Sequence, residues 1–126
     1  MIRAIVCGGR DYSDRNAVFA ALDELRPDVV IQGAAKGADA LAFEWCRVRH
    51  VECWNIPADW KTHGKAAGPI RNRRMIEEYR ANLVVAFPGG TGTADMIRQA
   101  EAASIKVLRY PPPAERAPAL LETKEG

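Results

Sequence analysis

Ala86-Phe87-Pro88-Gly89-Gly90-Thr91-Gly92-Thr93-Ala94-Asp95 leaves an apolar run, passes through three glycines and two threonines, and enters a helical pattern. The stretch reads as a strand, a tight turn and a helix N-terminus. Gly89, Gly90 and Gly92 are expected to allow positive φ and to remove Cβ atoms, so that successive backbone N–H groups converge on one point. Thr91 and Thr93 add hydroxyl donors. The first four N–H groups of the following helix have no partner within it, and about half a positive charge gathers there, which makes a phosphate the natural occupant. No Gly-Lys-Ser/Thr follows, so this is not a Walker loop, and Gly-x-Gly-x-x-Gly is absent. A plain strand-to-helix turn needs one or two glycines; three glycines and two threonines in five positions favour an anion site.

Working outward, strands and helices alternate. The apolar runs 2–7, 29–31 and 83–87 suit strands buried on both faces, whereas 51–56 and 105–110 alternate and suit edges. Between them lie helices with inner stripes Val18, Phe19, Leu22 and Leu25, then Ala38, Leu41, Ala42, Trp45 and Val48, then Arg71 to Tyr79 with Pro69 at the first helical position, and finally Met96, Ala100 and Ala103. This predicts an α/β fold: a single Rossmann-like domain over residues 1–110, its five-stranded parallel sheet in the order 3-2-1-4-5 with helices on both faces. The topological switch point then falls between strands 1 and 4, outside their carboxyl ends. Residues 111–126, rich in proline and charge, read as an extended or disordered tail. Residues 57–67 read as a long loop in which Trp60 and His63 are placed to close over a base.

The 126 residues carry a net charge of +2, too mild to mark a nucleic-acid protein by bulk charge. No signal peptide or membrane span is read from the sequence, so a cytoplasmic location and no membrane partner are expected. Cys7, Cys46 and Cys53 have no metal-ligand spacing and read as reduced thiols, and no metal is expected.

The predicted order brings the loops after strands 1, 2 and 4 to one edge. Gly8, Gly9, Arg10 and Asp11 leave the first strand; Gly33, Lys36, Gly37 and Asp39 leave the second; Pro88 to Thr93 leave the fourth. Arg71 reaches the same mouth from its helix, with Met75 packed one turn below. Lys36 suits either a phosphate contact or plain solvation, and Asp39 either a helix cap or a ligand contact. Lys61, Lys65, Arg71, Arg73, Arg74 and Arg80 outnumber Glu77 and Glu78 beside the crevice. Such a patch serves a solvated helix face, a steering field or a single strand of nucleic acid.

Gly8-Gly9-Arg10-Asp11-Tyr12, Gly33-x-x-x-Gly37-Ala38-Asp39, Arg71-Asn72-x-x-Met75 and Pro88-Gly89-Gly90-Thr91-Gly92-Thr93, in that order, resemble the YspA-like (cpYpsA-related) branch of the SLOG superfamily. The superfamily groups Lonely-guy phosphoribohydrolases, lysine decarboxylase-like proteins and DprA/Smf DNA-processing proteins. The resemblance implies a Rossmann-like fold that holds a nucleotide or nucleotide-derived ligand through the three loops, Arg71, Asn72 and Asp95, with no further cofactor required. It also implies a homodimer or higher homo-oligomer.

It does not carry the activity over. Lonely-guy enzymes have Pro-Gly-Gly-x-Gly-Thr-x-x-Glu and Arg-Lys-x-x-Met, with that glutamate and arginine serving catalysis. Here Arg71 matches the arginine, Asn72 stands at the lysine position and Met96 at the glutamate position. A thioether neither steadies an oxocarbenium-like transition state nor activates water. Asp95, one residue earlier, points about 100° away and suits a first-turn acid or a ribose hydroxyl acceptor, while Asp11 and Asp39 offer carboxylates from the other loops. Three readings follow: a nucleotide-binding sensor or carrier, which the residues favour; a hydrolase of N-glycosidic bonds in nucleoside 5'-monophosphates, with Arg71 its best catalytic candidate; and a DprA-like binder of single-stranded nucleic acid.

Overall fold

The computed structural model describes residues 1–111; the proline-rich tail expected beyond them lies outside the described residues. The strands β1 (Arg3–Cys7), β2 (Val29–Gln32), β3 (Glu52–Asn55), β4 (Leu83–Ala86) and β5 (Lys106–Arg109) form one sheet in the order β3-β2-β1-β4-β5. Every neighbouring pair is parallel, and the order is the one the strand patterns predict. β2 and β4 are buried along their whole length, whereas β3 and β5 are half-buried in the middle and exposed at their ends. That contrast is what separates centre from edge.

Five helices cover the sheet: α1 (Arg15–Leu25), α2 (Ala38–Arg49), α3 (Trp60–His63), α4 (Ala67–Glu77) and α5 (Thr91–Ala102). Because successive strand side chains alternate faces, Ala4, Val6, Val30 and Val85 meet Val18, Leu22, Ala42 and Trp45 of α1 and α2. Ile5, Ile31 and Val84 meet Met75, Met96 and Ala100 of α4 and α5 on the other face. Each fully buried aliphatic side chain contributes about 1.5–3 kcal/mol.

The helices differ from the sequence expectation in four places. Val48 is 47% exposed; at about 100° per residue it falls about 60° beyond Trp45, the near edge of the stripe formed by Ala38, Ala42, Trp45 and Cys46. Ala103 is the exposed C-cap of α5 rather than part of its inner face. Tyr79 lies past the end of α4, with its ring centroid 5.9 Å from that of Trp54. The stretch expected as a long loop folds instead into α3, a 3-10 turn (Gly64–Ala66) and the start of α4. The Asp59 side chain starts it by accepting from the Thr62 N–H at 3.1 Å. Pro69 is therefore the third residue of α4, still within the turn where a missing N–H costs nothing.

Candidate functional site

The register sets the site. Cys7 of β1 pairs with Ala86 of β4 at the carboxyl ends of the two central strands, so the loops that follow leave side by side. The Phe87 N–H donates to the Cys7 carbonyl at 2.9 Å and the Gly9 N–H to the Pro88 carbonyl at 2.8 Å, carrying the pairing beyond the strands. Glycine is required here by close approach rather than by backbone sign. A Cβ at Gly8 would lie 2.6 Å from that of Ala38, and one at Gly89 would collide with the Thr93 hydroxyl and lie 2.7 Å from the Gly9 nitrogen. The positive φ expected at Gly89, Gly90 and Gly92 is absent; among the described glycines only Gly37 and Gly64 adopt it.

The two glycine-rich helix starts are used differently. At α2 the Ala38 N–H donates to the Gly9 carbonyl at 3.2 Å, and the buried Asp39 carboxylate turns back to accept from the N–H groups of Gly33 at 3.0 Å and Ala35 at 3.3 Å. This start is closed by the protein itself. At α5 no side chain caps the helix, and among the described residues no hydrogen bond engages the N–H groups of Thr91, Gly92 or Thr93. A Cβ on Gly90 or Gly92 would meet nothing within 4 Å. Packing therefore does not demand glycine at either position; their bare Cα atoms face open space.

Arg71 is held from three sides. Its Nη1 donates to the carbonyls of Gly33 at 3.0 Å and Ile56 at 3.2 Å, and its Nε to Asn72 Oδ1 at 3.0 Å. A Cβ at Gly33 would collide with that guanidinium. No hydrogen bond uses Nη2, and no buried side-chain nitrogen or oxygen lacks a partner among the described residues, so this edge of the guanidinium is open to the crevice. The Thr93 hydroxyl opens there by the same reasoning. Burial lowers the Arg71 pKa, partly offset by the nearby Asp39 charge, but a guanidinium stays protonated. Burial likewise raises the Asp39 pKa, against the opposing pull of the Ala35 N–H, Arg71, the Gly33 N–H and Arg10. Asn72 passes the alignment on: its Nδ2 donates to Asp95 Oδ2 at 2.9 Å and to the Gly92 carbonyl at 3.3 Å, tying α4 to the first turns of α5.

These groups line a crevice of about 750 Å³ at the switch point, with Cys7, Met75 and Met96 among its walls. Burial first, then the Asp39 charge, pushes the Cys7 thiol up to about 12, so it stays protonated and unreactive near neutral pH. Asp95 lies in the second turn of α5, not the first, and its oxygens accept from Asn72, from Gln99 at 2.8 Å and from Arg98 at 3.0 Å. Both carboxylates of the crevice are thus committed to protein donors. Of the residues expected at the site, Gly8, Gly9, Arg10, Gly33, Asp39, Arg71, Asn72, Gly90, Thr91, Gly92, Thr93 and Asp95 line it. Asp11, Lys36, Gly37, Pro88 and Gly89 do not: Asp11 and Lys36 are exposed outside it, and Gly37 and Gly89 serve the packing of loop on loop. His63 is exposed and also lies outside the lining, whereas Trp60 lines it. Lys65 and Arg98 join as further cations. Arg98 carries no motif, and only its place three residues after Asp95 on the same helix could have announced it.

An open parallel sheet wound both ways from its centre, with the crevice at the switch point, defines a Rossmann-like α/β protein. The chain belongs to the YspA, cpYpsA-related SLOG family, whose model matches residues 2–63. It is 38% identical over 122 residues to the Gene 61 protein of Mycobacterium phage D29, covering 87% of this chain and 97% of that protein. Among solved structures it is similar to DNA processing protein A (DprA) from Streptococcus pneumoniae, at TM-score 0.72 and 16% identity, over 86% of this chain and 50% of that one. It is also similar to the Moco carrier protein from Chlamydomonas reinhardtii, at TM-score 0.63 and 17% identity, over 100% of this chain and 86% of that one. At these identities the likeness shows the fold alone. Among the described residues no helix is long and apolar enough to cross a membrane, and no group of three or more His, Cys, Asp or Glu is placed to hold a metal.

Proposed function

We propose that the crevice binds a nucleotide or nucleotide-derived ligand by its phosphate, as a sensor or carrier. One observation carries this reading: the uncapped N-terminus of α5 and the free edge of the Arg71 guanidinium open on the same crevice. Backbone N–H groups, helix dipole and a fixed cation are together the donor set a phosphate needs. Four cations of the lining, Arg10, Lys65, Arg71 and Arg98, face two carboxylates, Asp39 and Asp95. Retention rather than turnover is supported by what surrounds the ligand space. The Met96 thioether stands at the position of the catalytic glutamate in the resembling enzymes, Asp39 and Asp95 are engaged, and Cys7 is protonated.

The lining cations Arg10, Lys65 and Arg71, with Arg98 paired to Asp95, also suit single-stranded nucleic acid, the second reading. Its basic patch is smaller than the sequence count suggests, because Arg73 and Arg74 pair with Glu77 and Glu78 along the exposed face of α4.

The test is a mass-spectrometric inventory of small molecules released from the purified full chain. It is paired with thermal shifts against nucleoside monophosphates, adenine dinucleotides and ADP-ribose, on wild type and Arg71→Met. An intact nucleotide that raises the wild-type Tm and leaves that of a folded Arg71→Met variant unmoved is the expected result. Accumulation of free base would make the protein an N-glycosidase. Affinity confined to oligonucleotides and falling steeply with salt would favour the strand reading.

A further inference from the structure

We propose that Trp60 is the base platform of this crevice, so that the ligand is a nucleoside phosphate lying phosphate-first on α5 with its base stacked on the indole. The inference rests on the phosphate reading above and adds what holds the other end of the molecule.

The three tryptophans differ in what they already do. Trp45 is 2% exposed and donates its ring N–H to Asp23 at 2.8 Å. Trp54 is half-buried, donates to Glu52 at 2.6 Å and packs on Tyr79. Trp60 is 50% exposed, and among the described residues its ring N–H has no hydrogen-bond partner. It also lines the crevice that holds the α5 N-terminus and Arg71. Half of this aromatic surface is left exposed on a cationic crevice, where it is available to a flat ring.

Its position is fixed rather than trailing. Trp60 is the first residue of α3, which Asp59 caps. Its ring edge lies over Gly68 in the first turn of α4, in van der Waals range: a Cβ at Gly68 would stand 3.4 Å from Cη2, an ordinary contact. The indole is thus seated against the start of α4. Lys65 stands on the same lining and adds positive charge to it, while Arg98 there is paired with Asp95 at 3.0 Å. A free nucleoside phosphate fits better than an internal stretch of strand. Arg71 is recessed and presents a single open edge, which a terminal phosphate reaches end-on, whereas a phosphodiester carries chain on both sides.

Stacking reads π-surface and not base edges, so purines are expected to bind more tightly than pyrimidines without sharp selection between adenine and guanine. Calorimetric titration of 5'-AMP, 5'-CMP, ribose 5-phosphate and a single-stranded dT oligonucleotide into the full-length wild type, Trp60→Phe and Trp60→Ala tests this. Expected is a loss of roughly ten- to a hundredfold in 5'-AMP affinity for Trp60→Ala, in line with stacking on one aromatic ring. Trp60→Phe should recover most of it and ribose 5-phosphate affinity should stay unchanged. Since Trp60 is exposed, an unchanged Tm shows that the variants fold.

Equal 5'-AMP affinity in wild type and Trp60→Ala, with ribose 5-phosphate still bound, overturns the platform and leaves the phosphate site standing. Failure of both 5'-AMP and ribose 5-phosphate to bind wild type overturns the phosphate reading and the platform with it. Dependence on Trp60 for the oligonucleotide but not for 5'-AMP overturns the proposal in favour of a strand.

Discussion

The loop after β2 and the loop after β4 look alike in sequence, each pairing glycines with the start of a twelve-residue helix. The structure uses them in opposite ways. At α2 the helix start is filled from inside the protein, by the Gly9 carbonyl, and the Asp39 carboxylate folds back on its own loop. At α5 the N–H groups face the crevice with no protein partner among the described residues. Glycine content alone does not distinguish a packing joint from a cradle. The difference lies in what the missing Cβ would meet: backbone at Gly37, open space at Gly90 and Gly92.

The sharpest way to break the comparison is Gly37→Ala. Gly37 has φ +76°, and an added Cβ would overlap the Gly9 carbonyl and crowd the Arg10 backbone. Backbone strain of about 1–3 kcal/mol, in a positive-φ region that glycine alone adopts readily, adds to an overpacking cost of about 1–3 kcal/mol. Urea unfolding is therefore expected to show a loss of about 3 kcal/mol. Gly64→Ala is the control: it shares the positive φ, at +55°, but its Cβ would meet nothing within 4 Å, so only the strain should appear. Equal losses at the two sites would mean that the contact with Gly9 is not what closes α2.

Asp39→Asn has a smaller expected effect, about 1–3 kcal/mol, the cost of unsettling a buried acceptor with two backbone donors. It also carries a pH signature. Burial raises the Asp39 pKa, so the folded protein keeps this proton at pH values where the unfolded chain, titrating near pH 4, has released it. The group's contribution to stability is then highest at low pH and falls as pH rises from the unfolded value through the folded one. The variant should flatten that fall in Tm measured from about pH 4 upward. An unchanged slope would mean that Asp39 does not titrate in this window. Removing the negative charge beside Arg71 is also expected to tighten phosphate binding.

Most of the frame was legible because it depends on local pattern. The strand segments 2–7, 29–31 and 83–87 are apolar but for Arg3 and proved central, and the alternation in 51–56 and 105–110 marked the edges. Arg71 and Met75, one turn apart, reached crevice and core as spacing dictates. What stayed illegible depends on tertiary partners. Nothing in Gly33-Ala34-Ala35-Lys36-Gly37 announces that the Gly9 carbonyl will occupy the helix start beyond it. Arg98 and Gln99 stand three and four residues after Asp95 and could be read as its partners from helical spacing, but nothing in the sequence announces that Asn72 will join them from another helix. Trp60 and His63 looked equivalent in one loop, until capping by Asp59 folded them into a short helix that leaves only the tryptophan on the crevice lining.

The smallest change in stability, and the one that separates cradle from joint most cleanly, is Gly92→Ala. Gly92 is the second residue of α5, its φ is not positive, and a Cβ there has room. Alanine in place of glycine within a helix is worth about 0.5–1 kcal/mol, so the free protein should become slightly more stable. The new methyl would stand in the open space before the helix N-terminus, where the phosphate is proposed to sit. An affinity loss of about tenfold or more for 5'-AMP, ~1.4 kcal/mol, is therefore expected together with the rise in Tm. Opposite signs in the two measurements identify a glycine kept for the ligand and not for the fold. If both stability and affinity rise, or affinity does not change, the phosphate does not lie on this helix, and the open N-terminus of α5 is only an uncapped helix end.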